Sequence, residues 1–271
     1  MKNPEELKIV VKETYGKIAS QSRTQNASSC CGSGSGCGCG CSDEAVMAEE
    51  YGHLEGYVPE ADLGLGCGIP TDGAGIKSGD TVLDLGSGAG NDVFVARRIV
   101  GEHGTVIGVD FTEAMIAKAN ANKQKLGYTN VDFRHGDIEQ LPVNSSTVDV
   151  VISNCVLNLV PDKTKAFGEI SRVLKPGGHF SISDIVVTAP LPEKLKSVAE
   201  LYAGCVSGAL VRDEYLHIIE SIGLHNVRVV KEKPVQIPEE ILAEYLTDVE
   251  CATYRNSNVR IQSITVTAEK P

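Results

Sequence analysis

The sequence predicts an α/β fold: a doubly wound, mostly parallel sheet with a smaller α+β region at the C-terminal end. Three observations predict it. Short apolar runs alternate strictly with helix-like runs between residues 81 and 187, the order that right-handed crossovers turn into a parallel sheet. A glycine-rich turn, Gly86-Ser87-Gly88-Ala89-Gly90, directly follows the first of those runs, where such folds hold nucleotide-type ligands. The run VDVVIS at residues 148–153 is nearly all apolar, as a strand buried on both faces requires.

Each element can be taken in order. Leu7, Val10, Val11 and Ile18 fall on one face of a helix over residues 4–19. Residues 21–43 are rich in Gly, Ser and Cys with almost no large apolar residue; such a stretch builds no core and is expected to be flexible. A short helix-like pattern resumes over 44–51. The first strand is TVLDL (81–85), followed by the glycine turn and a helix over about 90–99. TVIGVD (105–110) is the second strand, and Thr112 is a suitable N-cap for a helix ending near Gly127. VDFRHGD (131–137) holds the third strand and residues 148–153 the fourth. A helix over about 162–174 is expected to end at Pro176-Gly177-Gly178, before a fifth strand at 179–187. Beyond residue 190 the pattern predicts helices near 192–203, 212–223 and 238–250, and strands at 226–234 and 258–268.

Composition narrows the function. The chain has 271 residues, 42% of them hydrophobic, and no run of eighteen apolar residues, so no membrane span is expected. Its first residues lack the apolar stretch of a secretory signal. A net charge of -11, with no Lys/Arg-rich run, argues against a nucleic-acid partner. Nine cysteines, an odd number, without an export signal point to a reducing cytoplasm and to thiols used for metal, metalloid or redox chemistry.

The turn 82–90, VLDLGSGAG, places Gly86, Gly88 and Gly90 between strand and helix, where the backbone can approach a ligand. A dinucleotide fingerprint would need glycine where Asn91 stands, which weakens that reading. Asp84 puts a carboxylate near a ligand's ammonium group. Asp110 ends the second strand, placed to accept from ribose hydroxyls, and Asp137 follows the third, within reach of an adenine amino group. This set resembles the class I S-adenosylmethionine-dependent methyltransferases, a Rossmann-like fold, over about residues 75–190.

The acceptor is suggested by cysteines outside those motifs. Cys155 follows the fourth strand in ISNCVLNLV, where methyltransferases of nucleic-acid amino groups carry N-P-P-[YF]. Cys67 lies in DLGLGCGIP and Cys205 in LYAGCVSGAL. Each sits in a turn or at an element end among small residues, where its sulfur is expected to be reachable. None forms the C-x2-C pair of a structural zinc site; three isolated thiolates suit a soft trivalent centre.

With these segments the chain resembles the arsenite S-adenosylmethionine methyltransferases, from about residue 30 to 225. The resemblance is carried by DLGLGCGIP (62–70), VLDLGSGAGND (82–92), VIGVDFTEAMI (106–116), SNCVLNLVPDK (153–163), RVLKPGG (172–178) and YAGCVSGAL (202–210). It implies that Cys67, Cys155 and Cys205 hold As(III), free or as a thiol conjugate, while S-adenosylmethionine donates the methyl group in arsenic detoxification. Cys30-Cys31 matches a more N-terminal family cysteine, so Cys31 joins the catalytic candidates. Phe111, Met115, Ile138 and Asn154 join Asp84, Gly86, Gly88, Gly90, Asp110 and Asp137 as cofactor-binding candidates. A thiol reductant, thioredoxin or glutathione, is implied. Residues 44–190 would then be the cofactor-binding domain, and residues 191–271 would cover the arsenic site. Cys37, Cys39 and Cys41 have no family counterpart, and Cys251 reads as structural. Two other readings stay open: a methyltransferase of a small organic acceptor with structural cysteines, and a protein that sequesters soft metals through CCGSGSGCGCGC.

Overall fold

The computed structural model describes residues 4–21, 49–191, 194, 206, 208–235, 242–243 and 246–271. In chain order the elements are α1 (Pro4–Ala19), β1 (Thr81–Leu85), α2 (Asn91–Val100), β2 (Thr105–Asp110), α3 (Glu113–Leu126), β3 (Val131–His135), β4 (Val148–Asn154), α4 (Lys163–Val173), β5 (Leu174–Val187), α5 (Arg212–Ser221), β6 (His225–Val235), α6 (Asp248–Asn256) and β7 (Ile261–Glu269). The strands make one seven-stranded sheet in the order β3-β2-β1-β4-β5-β7-β6. β1 to β5 are mutually parallel, and β7 runs antiparallel between β5 and β6. The expected mostly parallel α/β sheet is present, and the C-terminal strands extend that same sheet.

Residues on successive strand positions face opposite layers. Leu83, Leu85, Ile107, Val109 and Val151 join Phe167, Phe180 and Tyr215 in one core. Val82, Val106, Val150 and Ile152 join Phe94, Met115 and Phe133 in the other, with Tyr15, Ile18 and Ala19 of α1. Chain order reverses between β1 and β4, so the loops leaving these two neighbouring strands diverge and leave a crevice at their C-terminal ends.

Several boundaries differ from expectation. The PGG stretch does not separate helix from strand; β5 starts at Leu174 and runs through it. Pro176 disfavours helix at Lys175. Gly177, at φ 77, donates its N–H to the Lys270 carbonyl, so the segment is an irregular part of the sheet with a register shift against Val148 and Val150. β3 ends at His135, so Asp137 follows the strand as expected. Thr112 caps α3 by position, but its side chain makes no capping bond, whereas Gly127 closes the helix at φ 67 as expected. Residues 49–51 are not helical, and 44–48 lie outside the described residues. So do residues 21–43 beyond Gln21, most of the helix expected at 192–203 and much of the first part of the one expected at 238–250. α6 begins at Asp248, behind a capping box formed by Thr247 and Glu250.

Candidate functional site

The crevice is a cleft of about 1210 Å³, counted to its open mouth. The turn after β1 forms its floor. Gly86, Gly88 and Gly90 sit at φ 64, 50 and 100, left-handed values that an L side chain strains to adopt. A Cβ at Gly86 would also collide with Val156, which follows Cys155. The two turns, after β1 and after β4, therefore press directly on each other.

Nine of the ten residues expected to bind cofactor line the cleft: Asp84, Gly86, Gly88, Asp110, Phe111, Met115, Asp137, Ile138 and Asn154. Gly90 stands behind the wall as the N-cap of α2, against Phe94 and Phe133. Asp110 is held at both oxygens: Gly88 N–H donates to Oδ2 at 3.0 Å and Thr112 N–H to Oδ1 at 2.8 Å. Asp137 is engaged by α1, where Lys8 Nζ lies 2.7 Å from it and 2.6 Å from Glu139. Partial burial works against the Lys8 charge, but the two carboxylates outweigh it and raise the Lys8 pKa.

The cleft is acidic, and its acids Asp84, Asp92 and Asp110 are buried. Burial, with Asp92 and Asp110 nearby, pushes Asp84 well above the usual carboxylate range. Burial also raises Asp110 against its two backbone donors, and lifts Asp92 to about 6 although Tyr51 and Asn154 donate to it. Buried carboxylates in this state favour a cationic ligand. Ser87 Oγ and Asn91 Oδ1, on the same wall, are buried without a partner among the described residues. Orphaned polar atoms, a glycine cradle and carboxylates awaiting a cation fit an ammonium- and sulfonium-bearing nucleoside. Ser87, Asn91, Asp92, Tyr51 and Lys8 are the residues that sequence reasoning missed; Asp92 was legible only as a second acid close after the glycine turn.

Cys67 stands in a loop and Cys155 directly after β4, as expected, but their exposure differs from expectation. Both were expected to be reachable, yet Cys67 is 0% exposed and Cys155 3%. Gly66 and Gly68 let the Cys67 loop pack tightly onto the central strands β4 and β5: a Cβ on Gly66 would stand 2.5 Å from Asn154 Nδ2, and one on Gly68 2.6 Å from Ser183 Oγ. Cys155 borders the cleft, and Cys67 joins it in an apolar cluster with Ile185, Val187, Leu191, Val206, Ala209 and Ile261. Cys155 holds φ 60, an uncommon value for a non-glycine residue. Cys205 and Cys31 lie outside the described residues, as do Cys30, Cys37, Cys39 and Cys41; Val206, next to Cys205, is buried in the thiol cluster. Cys251 is buried in α6 with its Sγ 3.9 Å from the Leu246 carbonyl. Near the thiols, Asp184 is fully buried and lifted to about 7 by that burial, against Lys163 and the bonds from Ile185 N–H and Tyr215 Oη. Among the described residues no helix is long and apolar enough to cross a membrane.

The methyltransferase-domain family matches residues 76–223. An arsenite methyltransferase of Halobacterium salinarum is 40% identical over all of this chain and 68% of its own length. One from Aquipseudomonas alcaligenes is 36% identical over 90% of this chain and 70% of its own. The crystal structure of an arsenic(III) S-adenosylmethionine methyltransferase from Chlamydomonas reinhardtii superposes with a TM-score of 0.64 at 38% identity, covering 74% of this chain and 66% of that one.

Proposed function

This chain belongs to the arsenite methyltransferase family, and from that premise we propose that it transfers methyl groups from S-adenosylmethionine to trivalent arsenic held by Cys67, Cys155 and Cys205. The observation that carries the reading is the position of Cys155: the residue borders the cleft, and the next one, Val156, packs against Gly86 of the glycine turn. Donor and acceptor sites thereby share one wall.

Asp84 would receive the donor's ammonium group, and Asp110 its ribose hydroxyls. Met115, Phe111 and Ile138 would flank the base, with Asp137 at its amino edge. Bound donor supplies a sulfonium methyl, an electrophile that the arsenic lone pair can take without a general base. As(OH)3 exchanges hydroxide for thiolate, each thiol proton leaving with a hydroxide as water. The apolar cluster around Cys67 and Cys155, to which Val206, Ala209 and Ile261 of the C-terminal region belong, would exclude bulk water from that exchange. Methyl transfer leaves arsenic formally pentavalent. Two electrons returned by a thiol pair, with Cys31 a candidate member, leave a disulfide that thioredoxin or glutathione reopens. A cytoplasmic setting supplies such reductants.

The test is an arsenite methylation assay on the full chain with product speciation. Cys67→Ser, Cys155→Ser and Cys205→Ser are each expected to lower turnover by about 100-fold or more, as a misplaced reacting centre does. Calorimetric S-adenosylmethionine binding should stay unchanged in the Cys67 and Cys205 variants. Full turnover in any of the three overturns the three-thiolate site.

A further inference from the structure

Asn154, expected among the cofactor residues, lines the cleft, but its amide is turned to the protein. Its Oδ1 accepts the Cys67 N–H at 3.0 Å. Its Nδ2 donates to the Gly68 carbonyl at 2.8 Å and to Tyr51 Oη at 2.8 Å, with Asp92 Oδ2 at 3.2 Å. The two backbone partners settle the amide's orientation: Cys67 N–H can only donate and the Gly68 carbonyl can only accept. Tyr51 passes its own proton on to Asp92 Oδ1 at 2.8 Å, with the Gly68 carbonyl also within 3.0 Å, so the circuit closes on itself.

The same residue ends β4 and is bonded to Cys155. Cys155 N–H continues the sheet by donating to the Ser183 carbonyl at 2.7 Å. The Cys67 carbonyl is tied from the other side, by Ser263 Oγ at 2.6 Å. Gly66 rests directly on the Asn154 amide and Gly68 on Ser183, which pairs with Asn154 across the sheet. The Gly66-Cys67-Gly68 loop is thus docked onto the residue that carries Cys155, by hydrogen bonds and by glycine contacts independently.

From this arrangement we infer that Asn154 is a positioning residue for the acceptor, setting the spacing of Cys67 and Cys155, and is not a donor-binding residue. A trivalent centre bridging two thiols tolerates little error in their separation, and neither cysteine controls it: Cys67 arrives on a loop and Cys155 on a strand end. Asn154 is the covalent neighbour of one and the hydrogen-bonded anchor of the other. Tyr51 and Asp92 serve as its outer support, holding the amide plane in the way that groups behind a metal ligand orient it. The inference rests on the thiolate reading proposed above, and its test separates the two.

The test uses the full chain with Cys30, Cys31, Cys37, Cys39, Cys41 and Cys251 changed to serine, so that phenylarsine oxide, which needs two thiols, reports on the remaining three. In that background Cys67→Ser and Cys155→Ser are measured first; if neither weakens phenylarsine oxide binding, the thiolate reading itself fails. Asn154→Ala is expected to weaken it by about 10- to 100-fold, as loss of a group orienting a ligand does. In the otherwise wild-type chain, which keeps Cys31, Asn154→Ala should raise the arsenite KM while the S-adenosylmethionine KM and Kd stay within about twofold of the wild-type values. Tyr51→Phe, which keeps the ring packed and removes only the hydroxyl, should shift the same parameters in the same direction by less, and covers the case in which Asn154→Ala fails to fold. Gly66→Ala, which leaves the amide intact but pushes the loop away, should match Asn154→Ala. If the cysteine variants lose the arsenical while Asn154→Ala and Tyr51→Phe bind it normally, the positioning role is overturned. Weakened S-adenosylmethionine binding with normal arsenical binding in Asn154→Ala also overturns it and returns Asn154 to the donor site.

Discussion

The two walls of the cleft share β4 yet bury opposite chemistry. Asp84, Asp92 and Asp110 stand on the donor side, all nearly out of reach of water, with carboxyls raised by burial. Cys155 stands at the cleft on the acceptor side, and Cys67 packs with it among Ile185, Val187, Val206 and Ile261. On the proposed function the first wall takes the donor's cation, and the other suits a neutral molecule such as As(OH)3 that binds by covalent exchange. A single polar pocket would bind donor and product alike, whereas acids on one side favour the sulfonium over the uncharged thioether left after transfer.

The strongest test of this contrast is to remove the donor wall's charge alone. Asp84→Asn keeps the shape of the side chain and deletes one carboxylate. S-adenosylmethionine binding is expected to weaken by about 10- to 100-fold, the scale of a buried charge-assisted contact, while arsenite binding stays unchanged. Calorimetry with the two ligands separately reads both numbers. Equal losses for both would mean that the two walls are one site.

Buried carboxyls on both sides respond to pH in the same direction. A carboxylate raised on folding stabilises the protein fully below its unfolded value, here 3.8, and that contribution is lost as pH rises through the folded value. For Asp92 the window therefore lies between 3.8 and about 6, and for Asp184 between 3.8 and about 7. Asp149 and Glu169 are lowered, Asp149 by Lys175 in spite of burial and Glu169 by Arg172, so their stabilisation is lost only at pH below the ordinary carboxylate range. The ligand-free chain should melt at least about 3 °C lower at pH 8 than at pH 5.5. Asp184→Asn should flatten that slope, and so should saturating S-adenosylmethionine, whose cationic groups offset the donor-wall acids. A melting temperature that climbs steadily over this range would contradict the raised carboxyls.

What could be read from the sequence divides along the same line. The sheet and its helices follow from local period, so β1, β2 and β4 appear with their ends nearly correct; Asp84, Gly86, Gly88, Asp110 and Asp137 follow from offsets about the glycine turn, whereas Phe111, Met115, Ile138 and Asn154 rest on the family resemblance. The PGG stretch misled because its carbonyl and N–H partners, near Lys270, are remote in sequence. Lys8 carries no local signal either: its meaning comes from Asp137 and Glu139, which only the fold brings to α1. The thiol wall was legible in its residues and illegible in its burial. Gly66-Cys67-Gly68 has the composition of an exposed turn, and only the packing of those glycines on Asn154 and Ser183 shows why it is buried. Tyr51 and Asp92 acquire a role solely through that packing.

The smallest expected effect concerns backbone strain. On the donor wall the left-handed positions are all glycine: Gly86, Gly88 and Gly90. On the acceptor wall Cys155 takes φ 60 with a side chain. A left-handed L-residue costs roughly 1–2 kcal/mol, so the strain here is tied to the proposed chemistry and not to the fold. Cys155→Gly and Cys155→Ala both delete the thiol and should both be inactive toward arsenite. They should differ in stability in the order opposite to the usual one. Within regular helix or strand, Ala exceeds Gly by roughly 0.5–1 kcal/mol; at residue 155 Gly is expected to exceed Ala by about 1 kcal/mol, read from urea midpoints at equal slope. An Ala variant as stable as the Gly variant would show that Cys155 bears no strain, and the two walls would then differ in chemistry but not in how their backbones are held.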